Sequence, residues 1–381
     1  MPEPNPTRPP ALAILLQLRW PLFLALCCLV PFFVSDVWVQ MLVFVTLFAL
    51  LGLGLNVVVG FAGLLDLGYV AFFAAGAYTM GLLTSPGSPI DANLDFWLIL
   101  PLGILIASGV GLLLGLPVLP LRGDYLAIVT LGFGEIIRLF LINRDDLTRG
   151  SQGLSAIPRP ELLGIEIDNF TRWYYFVIAA AVLVGFCTTR LRDSRIGRAW
   201  EAIREDEDVA AAMGVNTTKY KLLAFATGAA IGGLGGVIYA SFIGFISPAA
   251  FSLQVSIDVL AIVIIGGMGS TPGVILGSLI LVGVPRILQF RETSDFLANL
   301  GWLRETLNAI IGGLDAITPG SIGRLPPTET WGAQLADDTR FIIFGALLVL
   351  VMVLRPSGLW PSTRRRLEFA HDEPPAPAAA P

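Results

Sequence analysis

Long apolar runs separated by short charged stretches dominate the chain, and the lengths of those runs set the first expectation. A helix needs about 20 apolar residues to cross the hydrocarbon core of a bilayer. On that criterion the pattern predicts spans near 13–34, 38–59, 61–84, 96–119, 124–142 and 173–190. After the charged stretch Arg190 to Lys221, further spans are expected near 222–246, 256–270, 273–290 and 339–355. The total is about ten, and the expected fold class is an all-α, polytopic membrane helix bundle. The two runs flanking Gly266-Gly267-Met268-Gly269-Ser270 are short, so two spans, one long broken helix and a re-entrant pair all fit. The apolar stretch Ala11 to Val34 exceeds the 7 to 15 or so residues of a signal-peptide core and reads as a retained first helix.

Composition strengthens this picture. The chain has 381 residues, of which 55% are hydrophobic and only 14% charged, with a mean hydropathy of +0.76. A soluble domain carries about a quarter of its residues as charges. Here they gather between the apolar runs instead. Cys27, Cys28 and Cys187 all fall inside apolar runs and read as small buried hydrophobes rather than a disulfide framework or metal site.

Charge placement then orients the bundle, because cytoplasmic loops hold the excess of Lys and Arg. Arg190, Arg192, Arg195, Arg198, Arg204, Lys219 and Lys221 crowd one loop, and Arg355, Arg364, Arg365 and Arg366 crowd the C-terminal end. Six spans before that loop and four after it put both termini and the loop on the cytoplasmic side. The expected organisation is a tail over 1–10, a transmembrane domain over 11–366 and a disordered Pro-Ala tail over 367–381. Within the domain, the charged loop covers about 190–221 and two outer segments cover about 143–172 and 291–338. In the second outer segment Phe296, Leu297, Leu300, Leu303, Leu307 and Ile310 recur at helical spacing, as in an amphipathic surface helix.

The chain contains no Gly-x-x-x-x-Gly-Lys-[Ser/Thr] phosphate loop, since neither of its lysines, Lys219 and Lys221, follows such glycines. No nucleophile, base or metal constellation appears either, which argues against an enzyme. An active transporter built this way must couple to an ion gradient or to a separate ATPase. The charged loop is suited to the second task. It reads as two short helices. Ile196, Ala199, Trp200 and Ile203 share one face of the first, while Glu205, Asp206, Glu207 and Asp208 favour the positive N-terminal end of the second. Ala210, Ala211 and Ala212 allow close approach of another surface, and Gly214 ends the second helix as a left-handed cap. A solvated linker accounts for the same composition.

Two blocks carry a family resemblance: Asn56-Val-Val-Val-Gly60-Phe-Ala-Gly63-Leu-Leu-Asp66-Leu-Gly68-Tyr69 through Thr79, and Leu121-Arg122-Gly123-Asp124-Tyr125 through Gly132-Phe133-Gly134-Glu135-Ile136-Ile137-Arg138. With Ala212-Met213-Gly214-Val215-Asn216, the Gly266 to Ser270 turn and the ending Leu354-Arg355-Pro356-Ser357-Gly358-Leu359, the chain resembles LivM-type permease subunits of branched-chain and neutral amino-acid ABC importers over nearly its whole length. The resemblance implies a bacterial inner-membrane protein. Its implied partners are a homologous second permease, two cytoplasmic ATPase subunits, an extracytoplasmic solute-binding protein and the lipid bilayer, with no cofactor and no nucleic acid. It also implies that Glu201 to Asn216, including Glu205 to Asp208, Met213, Gly214 and Val215, is the loop that fits the ATPase. Urea-type ABC permeases look similar. The proline-rich start, the Ala-Pro tail and the long outer segment depart from the family pattern.

Within the membrane, Gly60, Gly63 and Gly68 permit close helix approach or a break. Asp66, Tyr69 and Phe73 are expected on one helix face, with Asp66 either an interfacial carboxylate near the cytoplasmic end or part of the translocation pathway. Glu135 and Arg138, at i and i+3 in the fifth span, are expected to pair and either lock helices together or gate the pathway. Buried carboxylates also fit an ion-coupled secondary carrier, and a passive channel is a third class.

Overall fold

The computed structural model describes residues 27–287, apart from 91, 93, 122 and 163, together with scattered positions between 345 and 360. Most of the first and last expected spans, Arg122, the outer segment 291–338 and both tails therefore lie outside the described residues. The elements are α1 (Asp36–Leu55, continued by the wide π turn Asn56–Phe61), α2 (Val70–Thr84), α3 (Phe96–Val118), α4 (Asp124–Asn143) and α5 (Phe170–Arg192). Then follow α6 (Arg195–Glu205), α7 (Glu207–Ala212), α8 (Thr217–Ile243), α9 (Leu253–Gly266) and α10 (Thr271–Ser278, continued by a π turn Leu279–Gly283 and by Val284–Ile287).

Among the described residues five helices are long and apolar enough to cross a membrane: α1 with its π turn, α3, α4, α5 and α8. Their outer faces carry Leu98, Leu105, Leu113, Ile128, Ile136, Leu183 and Phe186 exposed, the surface a lipid solvent requires. The cysteines depart from the buried reading. Cys28 and Cys187 are exposed and Cys27 is intermediate, because each sits on an apolar helix side that faces out of the chain rather than into its core.

The run 61–84 is not one helix. Its helical part, α2, has 15 residues, preceded by an irregular segment in which Gly63 takes φ +70°, a conformation that interrupts any right-handed helix. The runs around Gly266 to Ser270 form a hairpin of short helices. Gly267 and Gly269 turn the chain with φ +113° and +81°, and a Cβ at Gly266, Gly273 or Gly277 would strike the backbone of the facing helix.

Helix α8 is the hub. Gly233 lies against Gly103 and Ala107 of α3, Gly236 against Phe73 and Ala77 of α2, Gly228 against Val58 and Gly235 against Leu51. Small residues let these backbones approach closely, and in lipid such packing substitutes for the hydrophobic drive available in water.

Both ends of the bundle are tied together. At one end, two-residue strands β1 (Leu154–Ser155) and β4 (Phe245–Ile246) pair antiparallel, and β2 (Glu161–Leu162) pairs with β3 (Ile165–Glu166). These short ladders add a little β-structure to the expected all-α fold. Ser85 Oγ donates to Ser155 O, Trp97 Nε1 to Glu161 O and Ser241 Oγ to Pro158 O, so the 143–172 segment caps the ends of α2, α3 and α8. At the opposite end α6 packs beside the π turn that ends α1 and the C-terminal end of α5, and both α6 and α7 touch the start of α8.

Candidate functional site

The α6–α7 loop has a fixed inner side and an exposed outer side. Ser194 caps α6, its Oγ accepting from Ile196 N and Gly197 N, and Gly197, Ala199, Trp200 and Ile203 are buried. Trp200, wholly buried, donates Nε1–H to Tyr220 O at 2.7 Å. The next helix begins at Asp206, whose carboxylate accepts from Asp208 N and Val209 N, a cap that complements the positive helix end. It ends at Gly214, φ +87°, with Gly214 N bonded to Ala211 O and Val215 N to Ala210 O.

Not all the acidic residues point the same way. Glu207 turns inward to an ion pair with Lys221 at 2.5 Å, the lysine side chain being 4% and the glutamate 20% exposed, and Lys221 Nζ also donates to Leu119 O. Glu205, Asp206 and Asp208 stay exposed, while Glu201 and Val215 are half-buried. On the outer side of α7, Val209 (58% exposed) and Met213 (81% exposed) stand beside exposed Ala212. Their i, i+3, i+4 spacing makes one apolar knob with carboxylates at its edge.

Residues 56–70 form the second part of the site. Here α1 widens into its π turn, a distortion often found at functional positions. Asn56, buried, accepts from Gly269 N through Oδ1 at 2.8 Å, fastening the turn to the α9–α10 hairpin. Gly60 must lack a side chain because a Cβ there would overlap Asn56 Oδ1 and press on Gly269 N. Arg204 of α6 donates Nη1–H to Gly60 O at 2.6 Å. Leu67 N donates to Thr130 Oγ1 of α4 at 3.0 Å, and Val70 N to Ser256 Oγ of α9 at 3.0 Å.

Asp66 lies in this irregular segment, not on a helix face, and is fully buried. Its Oδ1 accepts from Gly68 N at 2.8 Å, while Oδ2 has no hydrogen-bond partner among the described residues. The carboxylate does not snorkel to the surface of the described bundle, since the break at Gly63 folds residue 66 back inside, where it caps the Gly68 N–H. Tyr69 is equally enclosed and donates its hydroxyl to Gly228 O at 3.2 Å, which fixes α2 to α8.

The third part is the pair in α4. Arg138 Nη1 donates to Glu135 Oε1 at 2.6 Å, as the i, i+3 spacing predicts. Arg138 is 31% and Glu135 41% exposed, between exposed Ile136, Leu139 and Phe140. Among the described residues neither side chain of the pair bonds to a second helix. The pair opens onto the outside of the fold, where a charge facing hydrocarbon costs about 2.5–3.5 kcal/mol even on insertion scales.

The fold brings Gly60 and Gly63 together beside Arg204, places Asp66 later in the same segment against Gly68, and leaves Glu135 and Arg138 further along α4. Arg204, Asn56, Thr130, Lys221 and Val209 were not among the residues the sequence singled out for the site. Asn56 and Thr130 carried a signal, each as a polar side chain inside an apolar run.

Comparison with known proteins agrees with this architecture. The family model described as "Branched-chain amino acid transport system / permease component" matches residues 37–312. The high-affinity branched-chain amino acid transport system permease protein LivM of Salmonella typhimurium is 38% identical over 362 residues, covering 89% of this chain and 73% of that protein. LivM of Escherichia coli shows the same identity and coverage. The permease protein LivH of Salmonella typhimurium is 28% identical over 246 residues, covering 61% of this chain and 79% of LivH. No solved structure matches. The chain belongs to the family of permease components of branched-chain amino acid transport systems.

Proposed function

We propose that this chain is the LivM-type permease subunit of an ATP-driven importer in the bacterial inner membrane. With a second, homologous permease it forms the pathway for branched-chain and related neutral amino acids delivered by an extracytoplasmic solute-binding protein. Two cytoplasmic ATPase subunits drive it. The bundle has about ten spans with both termini cytoplasmic, so that the 190–221 loop faces the ATPases and the 143–172 segment faces the binding protein. The likeness of one chain to both LivM and LivH supports a pathway built from two related permeases.

The observation that carries the coupling part is the two-sided α6–α7 loop: an inner face fixed by Trp200, Lys221 and Arg204, and an outer apolar knob of Val209, Ala212 and Met213 edged by Glu205 and Asp208. Exposed apolar groups rimmed by charge mark protein interaction sites. Asp206 and Gly214 set the shape of the knob, and Glu207 anchors it. Glu135 and Arg138 then line the surface between the two permeases or the pathway itself, where water or a partner's polar groups replace lipid.

The test is uptake of labelled leucine by cells with and without this chain, competed by neutral amino acids, acidic amino acids and urea. Uptake dependent on the chain, competed by neutral amino acids and lost on reversing the charges of Glu205 and Asp208 in a membrane-inserted protein, is expected. Competition by urea alone, or leucine uptake that persists without ATPase subunits, overturns the reading.

A further inference from the structure

Beyond docking, an importer needs a mechanical route from the docked loop to the membrane segment that moves. We propose that the guanidinium of Arg204 is that route in this chain: a positioning strut between the coupling helices and the irregular segment 56–70, through which ATPase movement reaches α4 and the α9–α10 hairpin.

Four observations converge on it. The Gly60 carbonyl belongs to the last turn of α1, where helix carbonyls lose their intrahelical partners, and Arg204 supplies a charge-assisted donor to it at 2.6 Å. Gly63 lies flat on the same residue, so that a Cβ there would come within 2.7 Å of Arg204 Cγ and 3.3 Å of its Cα. Arg204 thus touches the segment both through its tip and through its stem. The far side of the segment is fastened elsewhere, Asn56 to Gly269 N, Val70 N to Ser256 and Leu67 N to Thr130. Finally, Gly68 packs on the Thr130 carbonyl so closely that no side chain fits, and Gly134, one residue before Glu135, faces Gly68 as well.

Moving α6 must therefore displace residues 60–63. That displacement arrives at α4 beside its ion pair, because Leu67 N is bonded to Thr130 and Gly68 packs on both Thr130 and Gly134. Rigid helices joined by a short non-helical connection move as levers, with the connection taking up the φ/ψ change.

This inference rests on the docking reading above, and the experiment separates the two. The complete importer, reconstituted in liposomes with its binding protein, is assayed for copurification of the ATPase subunits, ATP hydrolysis and leucine uptake. For Arg204→Ala the expected result is normal copurification, hydrolysis within about twofold of wild type, and uptake per ATP reduced at least about tenfold. Arg204→Lys, which keeps one donor of the same charge, is expected to recover part of that ratio. If Arg204 only stabilises the fold, less protein accumulates but the uptake per ATP of what does accumulate is unchanged, and the strut is wrong. Where Arg204→Ala fails to accumulate, Arg204→Gln carries the same comparison with the side-chain stem retained. ATPase subunits that fail to copurify with the wild-type chain overturn docking and strut together, whereas intact copurification with an unchanged ratio overturns the strut alone.

Discussion

Helices α4 and α8 are both long and apolar enough to span a bilayer, yet 61% of the most apolar stretch of α8 is buried against the rest of the chain and only 28% of that of α4. The reason is written in side-chain size. Along α8, Gly228, Gly233 and Gly236 admit neighbouring backbones, and Gly232 and Gly235 admit the side chains of Phe72, Tyr69, Leu50 and Leu51. Along α4, Gly132 faces open space, and Ile128, Ile136, Leu139 and Phe140 project outward. One helix is finished within this chain. Among the described residues the other carries a half-exposed ion pair and an uncovered apolar face, so its environment is completed by something outside them.

The sharpest way to break this contrast is to put bulk into the hub. Gly76→Leu is expected to cost about 4 kcal/mol or more, because its side chain would enter the Gly233 backbone and no rotamer avoids it. Loss of the folded peak in detergent size-exclusion chromatography checks this, and a normal peak would show that the α2–α8 contact is loose. At the loop end of α8, Glu207→Ala leaves Lys221 buried without its carboxylate and is expected to cost about 3 kcal/mol. A fall in thermal midpoint that Glu205→Ala does not produce is the readout.

On α4 the effects should move from folding to transport. Glu135→Gln is expected to lower leucine uptake about tenfold, roughly 1.4 kcal/mol, by leaving Arg138 without a counter-charge, and the double change of both residues to leucine to be less harmful to insertion than the single one. Normal uptake by the single variant would mean the pair is idle. Smallest of all, Ile136→Ala is expected to change the stability of the isolated chain by less than about 0.5 kcal/mol, while weakening copurification of the second permease. If the isolated chain is destabilised more, α4 is covered from within after all.

The one-dimensional parts of this molecule were readable in its sequence. Hydropathy predicts 173–190 and α5 occupies Phe170–Arg192; it predicts 124–142 and α4 occupies Asp124–Asn143. The pair Glu135–Arg138, the acidic N-terminal end of α7 and the left-handed Gly214 were also legible, since each depends on residues within one or two turns, although which carboxylate caps the helix was not. What escaped depends on contacts across long stretches of chain. Asp66 is expected on a helix face as long as 61–84 reads as one span; of the two roles open to Gly63, close approach or a break, its positive φ selects the break, which hydropathy alone does not decide. Arg204 reads as one more basic residue in a charged loop until Gly60, 144 positions earlier, is brought beneath it. The buried partner of Glu207 was hidden in the same way, since Lys221 looks like the solvated start of α8.

That lysine gives the chain a chemical property of its own. Only two lysines occur in the whole sequence; Lys219 is exposed, while Lys221 is enclosed between Glu207 and the Leu119 carbonyl. Amine-selective acylation should therefore label one side chain quickly and the other only when α7 lifts away from α8. Mass spectrometry of the ratio of singly to doubly acylated 217–221 peptide would then report how often that joint opens in the native protein, with no engineered probe.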